Sequence, residues 1–143
     1  MQANRQPLIS YRKTVETIFR LAASYPEDVS EFENIYQLYN FVRNLKYKPD
    51  PPGKEFVSRF EFTKIPNYPI RDCDDKTIPI ISYAIAYNIP NRIIVCGVGT
   101  TPHHVYPEIF VFGLWTPADA TFTEQCKFGK YLYEENFRKV FYR

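Results

Sequence analysis

The sequence predicts an α+β domain: N-terminal helices and a central apolar helix packed on an antiparallel sheet. Three observations carry this expectation. Apolar residues recur at helical spacing over residues 11–45. Residues 78–87 are apolar nearly all round, as in a buried helix. Residues 92–120 are rich in β-branched side chains and divided by turns. With 143 residues, 45% of them hydrophobic, the chain is long enough to bury a core without staples, so residues 1–143 are expected to form one domain.

Residues 1–10 form a loose lead-in. From Tyr11, the positions Val15, Ile18, Phe19 and Ala22 share a helical face, and Tyr25-Pro26-Glu27-Asp28 stops that helix. Ser30, with Glu33 three residues on, is expected to cap a second helix running to about Leu45 and burying Ile35, Leu38, Tyr39 and Val42. Three prolines and a glycine between Lys48 and Gly53 predict a loop, and residues 56–68 are expected to be irregular.

Asp72 is placed to cap the central helix, with Asp75 adding negative charge in its first turn. Pro79 deletes a hydrogen bond from that helix at a cost of ~3 kcal/mol. A kink, or a regular part starting near Thr77, is therefore expected. Asn88-Ile89-Pro90-Asn91 ends the helix. Strands are expected over residues 92–98, 104–111 and 114–120, with a turn or longer loop at 99–102 and a link around Phe112-Gly113. The tail, residues 128–143, is expected to add a strand or a helix.

Composition narrows the function classes. The net charge of +2 is too small to argue by itself for nucleic acid, and the basic tail residues are interrupted by Glu134 and Glu135, so a nucleic-acid partner is not expected. No apolar run approaches the ~18 residues of a membrane span. The N-terminus leads into no apolar signal segment, so a cytoplasmic or virion-associated location is expected. An odd set of three widely spaced cysteines (Cys73, Cys96 and Cys126) argues against a disulfide framework, and Cys96 and Cys126 are expected in the core. Asp72-x-Asp74 lacks the further acid, the glycine and the distal glutamate of a calcium loop. The cysteines and histidines lack the paired spacing of a zinc site. Neither a metal nor a cofactor is expected. Trp115 is expected to anchor the core beside the hairpin.

The chemistry centres on Arg71-Asp72-Cys73-Asp74-Asp75-Lys76, with His104 and Asp119 downstream. A thiol attacks as thiolate, and a helix N-terminus favours that form, whereas flanking carboxylates oppose it. If Phe112-Gly113 is a two-residue loop, Val111 faces Leu114 and Asp119 falls opposite Tyr106. His104 shares a face with Tyr106, so it becomes a diagonal neighbour of Asp119, with Cα atoms ~7–8 Å apart. A carboxylate there would fix the imidazole tautomer. His103, on the opposite face, is the second choice of base. An oxyanion site would need the Cys73 N–H and one more donor, for which Asn67 and Tyr68 are the nearest upstream candidates.

These boxes resemble the transglutaminase-like superfamily of papain-type thiol enzymes, in particular its small bacterial and phage-encoded members. The cysteine box precedes an apolar helix with an Ile-Pro ending (Ile89-Pro90), and His104-Val105-Tyr106-Pro107-Glu108 occupies the place of a His-x-Trp-x-Glu strand. Gly113-Leu114-Trp115-Thr116-Pro117-Ala118-Asp119-Ala120-Thr121 matches the closing Gly-x-Trp-x-Pro-x-Asp-x-Thr segment, and Asn44-Leu45-Lys46-Tyr47 looks like the family's Asn-x-x-Tyr turn. Arg71 stands where the family has glycine, and Tyr106 where it has tryptophan. The resemblance spans residues 33–121. It implies a papain-like core in which Cys73 is nucleophile, His104 general base and Asp119 the orienting acid. The expected function is thiol-dependent acyl transfer on protein or peptide amides, as a cysteine peptidase, deamidase or transglutaminase, leaning to hydrolysis. The alternative expectation is a catalytically weak or inactive module that keeps the fold and serves an assembly such as a phage particle or secretion apparatus, with protein assembly partners.

Overall fold

In the computed structural model, residues 10–97, 99, 101–132, 134–135 and 137–143 are described. The first amphipathic stripe forms α1 (Tyr11–Ser24), which buries Thr14, Val15, Ile18 and Ala22. A one-turn 3₁₀ segment follows at Pro26–Val29. Helix α2 (Ile35–Asn44) buries Leu38, Tyr39 and Val42. Its cap is Asn34 rather than the expected Ser30. Asn34 has extended backbone and accepts the Gln37 N–H at 2.9 Å, whereas Ser30 is right-handed helical and its hydroxyl donates to the Glu27 carbonyl at 2.9 Å. An N-cap needs the extended conformation. Residues 56–68, expected to be irregular, contain a single helical turn, α3 (Phe60–Thr63).

Helix α4 (Cys73–Ala86) is the centre of the molecule, with every side chain from Cys73 to Ala84 buried. It is regular from Cys73 onward with Pro79 inside it, not only from Thr77. The capping box at its start and packing against α1, α2 and the sheet offset the bond that Pro79 deletes. The chain leaves the helix through Asn88, which takes a left-handed φ of 56°.

Among the described residues the strands are β1 (Asn91–Gly97), β2 (His104–Val111), β3 (Leu114–Pro117) and β4 (Phe137–Tyr142). They form one antiparallel sheet in the order β3-β2-β1-β4. The tail therefore supplies a strand. Val98, expected to end the first strand, and residue 100 of the following loop lie outside the described residues, as do positions 1–9 of the lead-in.

The third strand stops at Pro117 rather than at residue 120. Ala118 N–H still donates to the Pro107 carbonyl at 3.0 Å, but Pro107 has no N–H to return. Residues 118–121 instead turn into the core, where the Tyr39 hydroxyl donates to the Asp119 carbonyl at 2.6 Å.

The helices cover one face of the sheet. Ile93, Val95 and Val105 pack with α1 and α4, while Ile109, Ala118 and Ala120 pack with α2 and α4. The other face carries Ile94, Cys96 and Tyr106, and the buried Glu108 paired with Arg92 (2.5 Å) and Arg138 (3.0 Å). Trp115 lies at this outer face rather than in the core. Its ring carries the Arg92 guanidinium at 4.2 Å and meets Phe110 and Tyr142 edge-on. No helix among the described residues is long and apolar enough to cross a membrane.

Candidate active site

The start of α4 is held by reciprocal capping. The Asp72 carboxylate accepts the N–H groups of Asp74 (3.1 Å) and Asp75 (3.4 Å), and the Asp75 carboxylate accepts those of Asp72 (3.1 Å) and Ser58 (2.7 Å). Cys73 thus becomes the first residue of the helix, and its own N–H is not one of those that the Asp72 side chain takes.

The basic residues that bracket the box point away from it. Arg71 is 1% exposed and donates to the carbonyls of Thr63, Lys46 and Ile65, while its main chain exchanges two 2.8 Å bonds with Lys48. Lys76 donates to the carbonyls of Leu45 (2.5 Å) and Thr121 (2.9 Å), tying the end of α2 to the segment after Asp119. Both side chains cross-link the loops around the helix terminus instead of pairing with the acids between them.

Beyond the sheet hairpin, His104 and Asp119 meet. Phe112 and Gly113 form the two-residue turn, with φ of 56° and 77°, and Val111 pairs with Leu114. That register carries Asp119 to His104, where Nε2 lies 2.7 Å from Asp119 Oδ2. Both side chains are buried. Asp119 Oδ1 accepts the Thr121 N–H (3.0 Å) and hydroxyl (2.6 Å). Burial pushes the Asp119 carboxyl up, but the His104 ring and the Thr121 donors more than offset it and hold the carboxyl below its usual range. An ionised Asp119 accepts Nε2–H and so orients the ring with Nδ1 on the far edge.

Cys73 packs against the start of the same strand. The Val105 N–H, one residue after His104, points at the sulfur, and the thiol lies 3.7 Å from Asp74 Oδ1. Cys73 is 1% exposed. Burial first, then the charges of Asp74 and Asp72, push the thiol well above its ordinary range, so the resting sulfur is protonated.

The remaining candidates lie elsewhere. His103 donates its main-chain N–H to the Cys96 carbonyl (3.0 Å), and His104 rather than His103 partners Asp119. Asn67 is exposed. Tyr68 N–H donates to the Ile65 carbonyl (3.0 Å), and its hydroxyl reaches Ser58 Oγ at 3.4 Å. Cys96 and Cys126 are buried, and all three cysteines are free thiols.

Two groups beside Cys73 carried too little sequence signal to be singled out as site residues. Asp50, from the proline-rich loop, comes within 4.8 Å of Asp72 and Asp74, and these three could hold a cation. The Asp72 carboxyl is pushed well up by burial and by the neighbouring acids. Tyr47, the last residue of the Asn-x-x-Tyr turn, stands across from Asp72 beside the Lys48–Arg71 bridge, and its sealed hydroxyl feels the charges of Cys73, Asp72, Asp74 and Asp50. Only that turn marked it in the sequence.

Comparison with protein-family models, with curated proteins and with solved structures gives no match for this chain.

Proposed function

We propose that this protein carries out thiol-dependent acyl transfer on protein or peptide amides, on a papain-type, transglutaminase-like core. The observation that carries the reading is the buried His104–Asp119 pair, 2.7 Å apart, whose histidine starts the strand that Cys73 packs against. A carboxylate that fixes an imidazole, at the start of the strand whose next residue meets a thiol at a helix N-terminus, suits proton transfer to and from sulfur. His104 takes the Cys73 proton, and the sulfur attacks the carbonyl carbon. The tetrahedral species collapses with loss of the amine, which receives the proton from His104. Water then resolves the thioester in hydrolysis, or an amine does so in transamidation. Hydrolysis is the preferred outcome.

The resting thiol is closed off, so substrate must displace covering groups first. The strap at residues 50–58 is a natural candidate for that movement. It is held by Phe56 N–H on Asp50 (3.0 Å), Ser58 N–H on Asp75 (2.7 Å) and the Thr14 hydroxyl donating to Glu55 (2.7 Å). These bonds are few, and the segment has high local exposure. A groove between it and α1, lined by Lys13, Thr17, Gly53 and Phe56, gives an approach to this side of the molecule.

A second reading is favoured by one observation. The Cys73 thiol is fully buried and flanked by acids that oppose ionisation, as suits an inactive fold kept as an interaction module. Iodoacetamide alkylation of Cys73 at pH 7, followed by peptide mass, separates the two. The enzyme reading expects His104→Ala to slow alkylation at least ~10-fold, through loss of base assistance. Equal rates in the two proteins would support the module.

A further inference from the structure

We propose that the Tyr47 hydroxyl is the side-chain donor that stabilises the oxyanion formed when Cys73 attacks a carbonyl. This rests on the thiol acyl-transfer reading and adds a catalytic residue to it. Tyr47 is placed by the antiparallel bridge between Lys48 and Arg71, whose main chains exchange two bonds. One step out from that pair, Tyr47 stands across from Asp72, on the same face and directly before Cys73. Its ring packs on Phe122, with centroids 4.8 Å apart. The hydroxyl is sealed from solvent and has no hydrogen-bond partner among the described residues.

A buried hydroxyl without a partner is destabilising, so a retained one calls for an explanation. A structural role needs a resting partner, and Tyr47 Oη has none among the described residues. A catalytic role needs a donor that faces the nucleophile and finds its acceptor only when substrate reacts. Tyr47 fits the second. Burial, followed by the charges of Cys73, Asp72, Asp74 and Asp50, pushes the phenol far up, so it keeps its proton and remains a donor at neutral pH.

In the step itself, the Cys73 sulfur forms a bond to the carbonyl carbon and the π pair moves onto oxygen. Tyr47 O–H and the Cys73 N–H donate hydrogen bonds to that oxygen without giving up their protons. The pair returns as the carbon–nitrogen bond breaks, and the amine takes the proton held by His104. Such donors act most strongly where water is excluded, as here.

The test compares two reactions of the full chain at pH 7. Acetylation of Cys73 by p-nitrophenyl acetate passes through an oxyanion, whereas alkylation by iodoacetamide does not. Tyr47→Phe is expected to slow acetylation ~10²-fold, the effect of losing one such donor, and to change alkylation less than ~2-fold. It deletes one unpartnered oxygen, so its melting temperature should be unchanged or raised. Unchanged acetylation, or an equal fall in both reactions, overturns the role of Tyr47. His104→Ala keeps the outcomes apart. If it slows wild-type acetylation while Tyr47→Phe does not, only the donor assignment fails. If wild-type Cys73 acetylates no faster than a free cysteine and His104→Ala has no effect, the acyl-transfer reading fails and takes the donor with it.

Discussion

Asp74 stands beside Cys73 with Oδ1 at 3.7 Å from the sulfur, while Oδ2 has no hydrogen-bond partner among the described residues. Its charge is the largest electrostatic influence that raises the thiol. Asp74→Asn keeps the shape and removes that charge, so the thiolate becomes easier to form. A thiol pKa lower by one gives tenfold more thiolate at fixed pH. We expect Cys73 in Asp74→Asn to alkylate faster than wild type at alkaline pH, where the Asp74 carboxyl, itself raised by burial, is ionised, measured by adduct mass against time. A rate equal to or below wild type would show that burial alone sets the resting thiol. The identities of Cys73, His104 and Asp119 were legible from the sequence, because their residue types and order suggest the chemistry. The orientation of the Tyr47 hydroxyl was not, because it depends on a bridge between residues far apart in the chain.

The hairpin between β2 and β3 decides whether His104 meets Asp119, since a slip of one residue sends the two side chains to opposite faces. The turn that sets this register holds Phe112 at a φ of 56°, a conformation that suits asparagine or glycine. Phe112 is 73% exposed, so its ring contributes little burial. Phe112→Asn creates an Asn-Gly turn and is expected to raise stability by about 1 kcal/mol, because the left-handed conformation penalises a bulky residue. The check is a thermal melt, with a rise of a few degrees expected; a fall would mean that the Phe112 ring packs usefully. Most of α1, α2, α4 and β2 was readable from periodicity. The cap of α2 and the end of β3 were not. Both depend on which backbone groups find partners, Asn34 with Gln37 in one case and Pro107 lacking an N–H in the other.

Across the molecule, the acids at the start of α4 link stability to pH. Burial pushes Asp75 up to about 7, and Asp72 and Asp74 are also raised. A carboxyl in an unfolded chain titrates near ~4. Between these values the folded state binds more protons than the unfolded one, so stability falls as pH rises. The contribution is fully present below about pH 4 and is lost as pH climbs through the folded value near 7. We expect wild type to lose at least ~1 kcal/mol between pH 5 and 7, roughly the free energy of a tenfold change in proton affinity, measured by urea unfolding. Asp75→Asn should flatten that slope whatever its effect on absolute stability, since it removes the titrating group along with part of the cap. A slope unchanged by the substitution would place the pH dependence elsewhere.

The amino-acid sequence by itself determined the α+β class, the central helix and the order of thiol, imidazole and carboxylate. These follow from periodicity, capping residues and turn residues, which act over a few positions. Tertiary structure decided that the helix runs through Pro79, that His104 rather than His103 meets Asp119, and that Arg71 and Lys76 bind carbonyls instead of the acids between them. It also gathered Tyr47 and Asp50 beside Cys73. Those outcomes turn on burial and on partners distant in sequence, where desolvation and hydrogen-bond satisfaction outweigh local preference.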